Sequence, residues 1–484
     1  MPPLNADRHQ AILGNGGRPP SVRWVLVSLS LSMLLSSLGT SIANVGLPTM
    51  ATAFGASFQD VQWIVLSYLL AITTLIVSVG PLGDIVGRRR LLLAGIGLFT
   101  LASGVGGLAP TLGLLIGARA VQGLGAAIMM ALTVALVGEA VPKPRTGSAM
   151  GLLATMSAVG TAVGPSLGGL LIAGLDWRAL FLINVPLGIL TLGLARRSLP
   201  GDGRGTTTNR PGFDAPGTLL LALTLAAYAL AMTLGRGDFG WLNGALLAVA
   251  VCGAGLFLLV ESRAAAPLIR LAVVREPGLR DSLAMSTLVA TVMMATLVVG
   301  PFHLSRGLGL EAAAVGLALS AGPFVAALNG VPAGRLVDRL GASRMTVVGL
   351  TGMAAGCVGL AMSPAAFGVA GYVTPMVCVT AGYALFQVAN NTAVMADIAP
   401  DQRGVVSGML SLSRNLGLIT GASVMGAVFA LATATPDVTT APPAAVAFGT
   451  RVTFAVADVL VVAALVLAVR THRRRSRQGS PQQA

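Results

Sequence analysis

Two stretches carry one set of chemically useful residues at one spacing: GPLGDIVGRRR over 80–90 and GRLVDRLGASR over 334–344, with Asp84 and Asp338 254 positions apart. An aspartate there can cap a helix N-terminus or pair with a guanidinium, and the glycines permit a tight turn between helices. An ion pair at such a junction can be made in one conformation and broken in another. A second couplet follows the same pattern: EAVPKPRTG from Glu139 and DIAPDQRGV from Asp397, 258 positions apart, each with an acid, a proline at plus three and an arginine at plus six.

Other polar residues stand where their surroundings are apolar. Arg119 has Gln122 one turn away, and Arg414 has Asn415 beside it. An arginine at a bilayer centre costs about 2.5 to 3.5 kcal/mol on insertion scales, so Arg119 is expected to face a wet cavity rather than lipid, with a structural arginine bonded to carbonyls as the alternative. Of the seventeen acids, Asp458 alone lies far inside an apolar run. It is a candidate proton carrier or a structural aspartate, and His303 is a weaker candidate of the same kind.

The elements that must position these residues are membrane helices. The chain of 484 residues is 55% hydrophobic and 10% charged, against roughly a quarter charged in ordinary soluble domains. A spanning helix needs about 20 mainly apolar residues, and fourteen such runs occur, centred near Leu34, Ile72, Leu98, Gly125, Gly160, Ile189, Leu225, Val251, Ala290, Gly322, Ala355, Gly382, Gly417 and Val461. The first run lies behind a polar tail without an evident cleavage site and is taken as a retained helix.

The net charge of +14 suggests nucleic acid until its distribution is read. Of 31 Lys and Arg residues, 25 fall in alternate breaks that share a side with the N-terminus, and four fall in the others, Arg178, Arg236, Arg306 and Arg451. That is the positive-inside bias, so both termini are expected in the cytoplasm of a multi-pass plasma-membrane protein with no nucleic-acid partner. Cys252, Cys357 and Cys378 lie in apolar runs without paired spacing and read as packing residues. No metal cluster, nucleophile elbow or phosphate-binding loop is present, so neither an enzyme nor a cofactor is expected.

The repeats and an offset of about 256 residues superpose runs 2 to 5 on runs 10 to 13, making the chain a duplication. It divides into a tail (1–22), a six-helix bundle (23–200), a two-helix insert with its flanking loops (201–280), a second six-helix bundle (281–470) and a basic tail (471–484). In run 5, Gly160, Gly164, Pro165, Gly168 and Gly169 make a smooth, kinkable surface that lets a neighbouring backbone approach closely, and Gly417 and Gly421 match the first two in run 13.

With GPLGDIVGRRR between runs 2 and 3, ARAVQGLGAA (118–127) in run 4, GTAVGPSLGG (160–169) in run 5 and WRALFLINVPLG (177–188) opening run 6, the chain resembles the major facilitator superfamily. Within that superfamily it is similar to the fourteen-helix drug:proton antiporters. The resemblance implies an all-α fold of two six-helix bundles plus an extra pair. It further implies export of a small amphipathic, drug-like compound against inward protons, by a monomer that alternates its access. Asp84, Arg88, Glu139 and Arg145, mirrored by Asp338 and Arg339, would form a cytoplasmic gating network. Arg119 would serve proton transfer or the substrate path, and the run 5 glycines would seal that path against leak. Runs 1, 4, 9 and 12 would line the cavity, bringing Asn44, Gln122, Gln387, Asn390 and Asn391, with Tyr383 and Phe386 as aromatic surface; Arg414 is assigned equally to the path or to interhelix structure.

One departure bears on the chemistry. The antiporters end helix 1 with an aspartate before an Asn-containing turn to Leu-Pro; here LGTSIANVGLP (38–48) places Gly39 at that position. A glycine cannot titrate. Coupling would then run through the cytoplasmic acids or Asp458, and a neutral or anionic compound gains over a cationic one. An importer or uniporter on the same fold, and a membrane sensor that no longer transports, remain as rivals.

Overall fold

The computed structural model describes residues 22–76, 78–141, 146–201, 214–234, 240–264, 276–362, 367–396, 403–435 and 437–478. Fourteen helices among them are long and apolar enough to cross a bilayer: α1 (Val22–Val45), α2 (Phe58–Leu75), α3 (Arg88–Gly107), α4 (Leu112–Gly138), α5 (Ala149–Gly174), α6 (Ala179–Ser198), α7 (Ala215–Thr233), α8 (Trp241–Arg263), α9 (Pro277–Gly307), α10 (Ala312–Gly330), α11 (Ala342–Met362), α12 (Gly368–Met395), α13 (Gly408–Thr433) and α14 (Pro443–Arg474). Each of the fourteen runs read from the sequence falls on one of them, and the described residues contain no strand.

Turn chemistry sets the ends. Ser57 and Asp60 form a reciprocal capping box that starts α2. The two repeated motifs turn at Gly87 (φ 103°) and Gly341 (φ 87°), left-handed conformations that only glycine adopts without strain, so the shared glycine frame is a backbone requirement. The helix containing α10 continues to Leu340, ending beside that second turn.

Helix contacts recur in two sets. α1 packs on α5, α3 and α2 on α4, and α6 on α1 and α3; correspondingly α9 packs on α13, α11 and α10 on α12, and α14 on α9 and α11. Small residues set the first pair in each set. A Cβ added at Gly160 would stand 2.6 Å from the Leu34 carbonyl oxygen, and one at Gly164 would run into the Ser41 hydroxyl. At Gly417 and Gly421 it would meet the carbonyl oxygens of Thr287 and Thr291. In lipid, where apolar side chains gain nothing by leaving the solvent, such close backbone approach is a main source of helix affinity.

The two sets meet along two seams. One joins α5 to α10, where Gly169 faces Ala312 and Gly316, and the Pro165 carbonyl abuts Gly316. The other joins α2 to α13, and α7 lies along it, tied at three levels: Thr218 to Ser78 (2.8 Å), Tyr228 to Thr420 (3.2 Å) and Thr233 to the Trp63 indole (3.1 Å). α8 packs on α7 and turns most of its apolar surface outward.

Candidate functional site: a buried arginine centre and a one-ended closure

Arg119 is 1% exposed and sits among α1, α2, α4 and the start of α6. Its Nε donates to the Ile64 carbonyl (2.9 Å), and its Nη1 donates to the Gly39 carbonyl (3.0 Å) and to Gln122 Oε1 (2.7 Å). The guanidinium carbon lies 4.0 Å from the centre of the Tyr68 ring, a desolvated cation–π contact of about 2 kcal/mol. Nη2 is buried with no partner. The guanidinium is thus enclosed by carbonyls and rings, and neutral dipoles hold the charge. Gln122 relays the order outward, its Nε2 donating to Ser103 Oγ (2.7 Å), which donates to the Phe99 carbonyl (2.7 Å).

At Gly39 the reason for the missing acid is geometric as well as chemical. A Cβ there would stand 3.1 Å from Tyr68 Oη and from the Phe99 ring. The Tyr68 and Phe99 rings leave only a tight fit for a Cβ there, and the Gly39 carbonyl accepts from the cation. Tyr68, whose hydroxyl donates to the Ser36 carbonyl (2.8 Å), completes this centre. Sequence reasoning passed it over, although a tyrosine in an apolar run always needs a hydrogen-bond partner.

The remaining polar candidates divide. Asn44 is buried and spends its amide on the Thr40 and Ser41 carbonyls of its own helix (3.1 and 3.3 Å), leaving Oδ1 buried and unpartnered. Asn390 ties α12 to α9 through the Ser282 carbonyl (3.4 Å), Phe386 is buried in the α9–α14 core, and Asn391 is exposed. Gln387 and Arg414 are half-buried and lie together at the Tyr383 hydroxyl; Arg414 Nε is buried without a partner. Asp458 is half-buried on α14 beside Cys357, with Oδ1 unpartnered. His303 contacts Thr450 Oγ1 (3.1 Å) and lines a cavity of about 240 Å³ with Tyr372 and Arg451, away from Arg119.

Of the gating residues, Asp84 Oδ1 accepts from Arg88 Nε (3.0 Å) and Nη2 (2.8 Å), an i,i+4 fork at the helix junction. Asp338 and Arg339 are both exposed, and no ion pair joins them. Arg145 lies outside the described residues, and Glu139 is described only as helical backbone. In α5, Gly160, Gly164 and Gly168 face α1, whereas Gly169 and Pro165 face α10.

A feature absent from the sequence reading lies at the end opposite Asp84. Phe58 of α2 meets Phe302 (4.8 Å, edge-on) and Phe429 (5.5 Å) of the second set. Gln62 Nε2 donates across the same seam to the Ala422 carbonyl (3.1 Å), which belongs to a π-helical turn, Gly421–Met425, inside α13. Such a turn breaks the regular i→i−4 ladder and frees carbonyls for outside donors. Arg306 Nη2 reaches Thr52 Oγ1 (3.2 Å) over the same end.

Twelve of the spanning helices form two sets of six with matching contacts, joined across two seams with a buried polar centre in the first, and α7 and α8 are added beside them. The sequence profile of the Major Facilitator Superfamily matches residues 29–422, and the chain belongs to that family. It is 32% identical over 427 residues to the uncharacterized transporter YebQ of Escherichia coli (strain K12), covering 88% of this chain and 91% of that one. It is 32% identical over 411 residues to the multidrug resistance protein Stp of Mycobacterium tuberculosis (strain ATCC 25618 / H37Rv), covering 84% and 75%. In fold it matches the crystal structure of a bacterial homologue of the human lysosomal transporter Spinster, with a TM-score of 0.69 at 17% identity, over 94% of this chain and 98% of that one.

Proposed function

We propose that the protein exports a small amphipathic compound by alternating access, with inward proton movement as the driving reaction. The observation that carries this reading is the closure at one end. Phe58, Phe302 and Phe429 with Gln62 and Ala422 join the two sets at the end away from Asp84. On α5 and α10 toward the Asp84 end, a Cβ at Gly151, Gly330 or Gly334 would point into open space, which is compatible with the halves standing apart there. A carrier sealed outside and parted inside is ready to load from the side with most Lys and Arg, which the positive-inside bias assigns to the cytoplasm.

The Asp84–Arg88 pair then sits on the side that must close next, where a pair made in one posture and lost in another biases the equilibrium. Relatedness to a protein named for multidrug resistance supports a drug-like cargo and the outward direction. The two sets rock as bundles about the seams, the extra helices travel with them, and the working unit is the monomer in the plasma membrane.

The test is a vesicle experiment with a labelled drug panel and an imposed pH gradient. Export by antiport requires the compound to leave the cytoplasmic face as protons enter there. Uptake driven by the same gradient would overturn the direction, and movement indifferent to pH would overturn the coupling.

A further inference from the structure

The repeat that builds the two halves is broken at one charged position. Gly160 of α5 and Gly417 of α13 occupy equivalent places, since a Cβ at the first meets the Leu34 carbonyl and Ser37 Cβ, and at the second the Thr287 carbonyl and Ala290 Cβ. Three residues earlier, α5 carries Ser157, which shares a hydrogen bond with Ser37 (2.7 Å). α13 carries Arg414 there, and α9 carries Ala290 where α1 has Ser37. Helix packing at this place is satisfied by a hydroxyl in one half, so the guanidinium of the other half is surplus to it.

Arg414 lies against α12 instead, where the guanidinium and Gln387 both neighbour the Tyr383 hydroxyl. No acid is among its partners. Its Nε is buried and unpartnered, and the side chain as a whole stays half-buried, so its exposed part can meet an incoming group. The charge balance points the same way: Arg119 is held by carbonyls and Gln122, Gly39 stands where the helix 1 acid is expected, and among the described residues the single mid-span carboxylate, Asp458, is on α14 near Cys357.

We infer that Arg414, with Tyr383 and Gln387, is an anion-recognition site that takes the carboxylate, sulfonate or phosphate of an anionic amphipathic compound. This rests on the export reading and names the class of its cargo. A guanidinium forks onto two oxygens of such a group, and a phenol and an amide beside it supply further donors without repelling the charge. An anionic cargo also accounts for helix 1: an inside-negative potential drives an anion outward by itself, about fiftyfold at 100 mV, so export needs no titrating carboxylate there, and proton entry adds to the drive.

The experiment uses a matched xanthene series, anionic fluorescein, the net-neutral methyl ester of a rhodol and cationic rhodamine 123, with the purified full chain in proteoliposomes and, separately, in detergent for direct dye binding. The wild-type protein is expected to move and bind fluorescein at least tenfold better than rhodamine 123. Arg414→Gln lowers the fluorescein-to-rhodol ratio about tenfold in both assays, and Arg414→Lys, which keeps the charge but cannot fork onto two oxygens, falls between wild type and R414Q. Preference for rhodamine 123, or an unchanged ratio in a monodisperse R414Q protein, overturns the anion site while leaving export standing. Movement of fluorescein inward under the same potential overturns the export reading itself.

Discussion

The guanidinium of Arg119 donates to the carbonyl of Gly39 across 3.0 Å, at the position where the drug:proton antiporters this sequence resembles carry an aspartate. A backbone dipole, which any residue at that position would supply, is a partner of this buried cation. A carbonyl holds a cation less strongly than a carboxylate does, but it adds no charge to neutralise and never titrates.

Restoring an acid tests that relationship. Gly39→Asp is expected to insert with a small shift of Tyr68 and Phe99, whose atoms stand 3.1 Å from the new Cβ, and to pair with the Nη2 that now lacks a partner. The cation-to-anion transport ratio should rise severalfold. Gly39→Ala supplies the crowding without the charge, and it should lower thermal stability by about 1 to 3 kcal/mol while leaving that ratio unchanged. Thermal-shift and dye-transport measurements on the two variants separate crowding from charge.

Removing the cation is the costlier change. Arg119→Ala strands the Ile64 and Gly39 carbonyls and Gln122 Oε1 in a dry site and empties the space over the Tyr68 ring. A loss of about 2 to 5 kcal/mol is expected, allowing for the modest worth of hydrogen bonds in lipid. Arg119→Lys keeps the charge but cannot make three directed bonds, and it should fall between the two. Melting temperatures in detergent order the three proteins.

Gln62 is expected to govern the closed end. Gln62→Leu leaves the Ala422 carbonyl without its donor, and interhelical hydrogen bonds in membranes are worth about 0.6 kcal/mol on average and about 1.7 at most. The closed population should fall by about 3- to 20-fold relative to the open one. Disulfide trapping between Thr52→Cys and Arg306→Cys, whose native side chains touch at 3.2 Å, reads that shift as a slower cross-linking rate. An unchanged rate would show that the aromatic contact alone holds the end.

The glycine surface of α5 makes a sharp internal control. Gly164→Val drives a branched side chain into Ser41 and Ile42 of α1 and should abolish folded expression, whereas Gly174→Ala, which meets nothing within 4 Å, should be neutral or slightly stabilising. Size-exclusion profiles of the two proteins decide the matter.

What the sequence disclosed and what it hid follow from the same physics. Lipid cannot hydrogen-bond a backbone, so every span had to be a helix and every break had to be polar, which made all fourteen spans legible. Gly87 and Gly341 were legible because a positive φ selects glycine, and Gly160 and Gly164 because close approach does. The shell around Arg119 was hidden because two of its acceptors are backbone carbonyls, at Ile64 and Gly39, which any residue supplies. The Gln62 contact was hidden because a π-helical turn at Gly421–Met425 leaves no pattern in residue types. The path of α7 along the α2–α13 seam was equally invisible, since Trp63, Ser78 and Thr420 look like ordinary residues until their partners are in place.

The Asp84–Arg88 fork should prove far more important to transport than to stability. Its side chains are 38% and 32% exposed, and exposed ion pairs contribute about 0.2 to 1 kcal/mol. Asp84→Asn should therefore leave expression and melting temperature nearly unchanged, while Gly87→Ala, at φ 103°, should lower both. If the fork belongs to the gate at the Lys- and Arg-rich end, D84N transport falls at least tenfold in protein that is otherwise normal, because the bias between the two postures is lost while the bundles stay intact. Normal transport by D84N would reduce the fork to a local helix-junction contact and leave Gly87 as the motif's one essential residue.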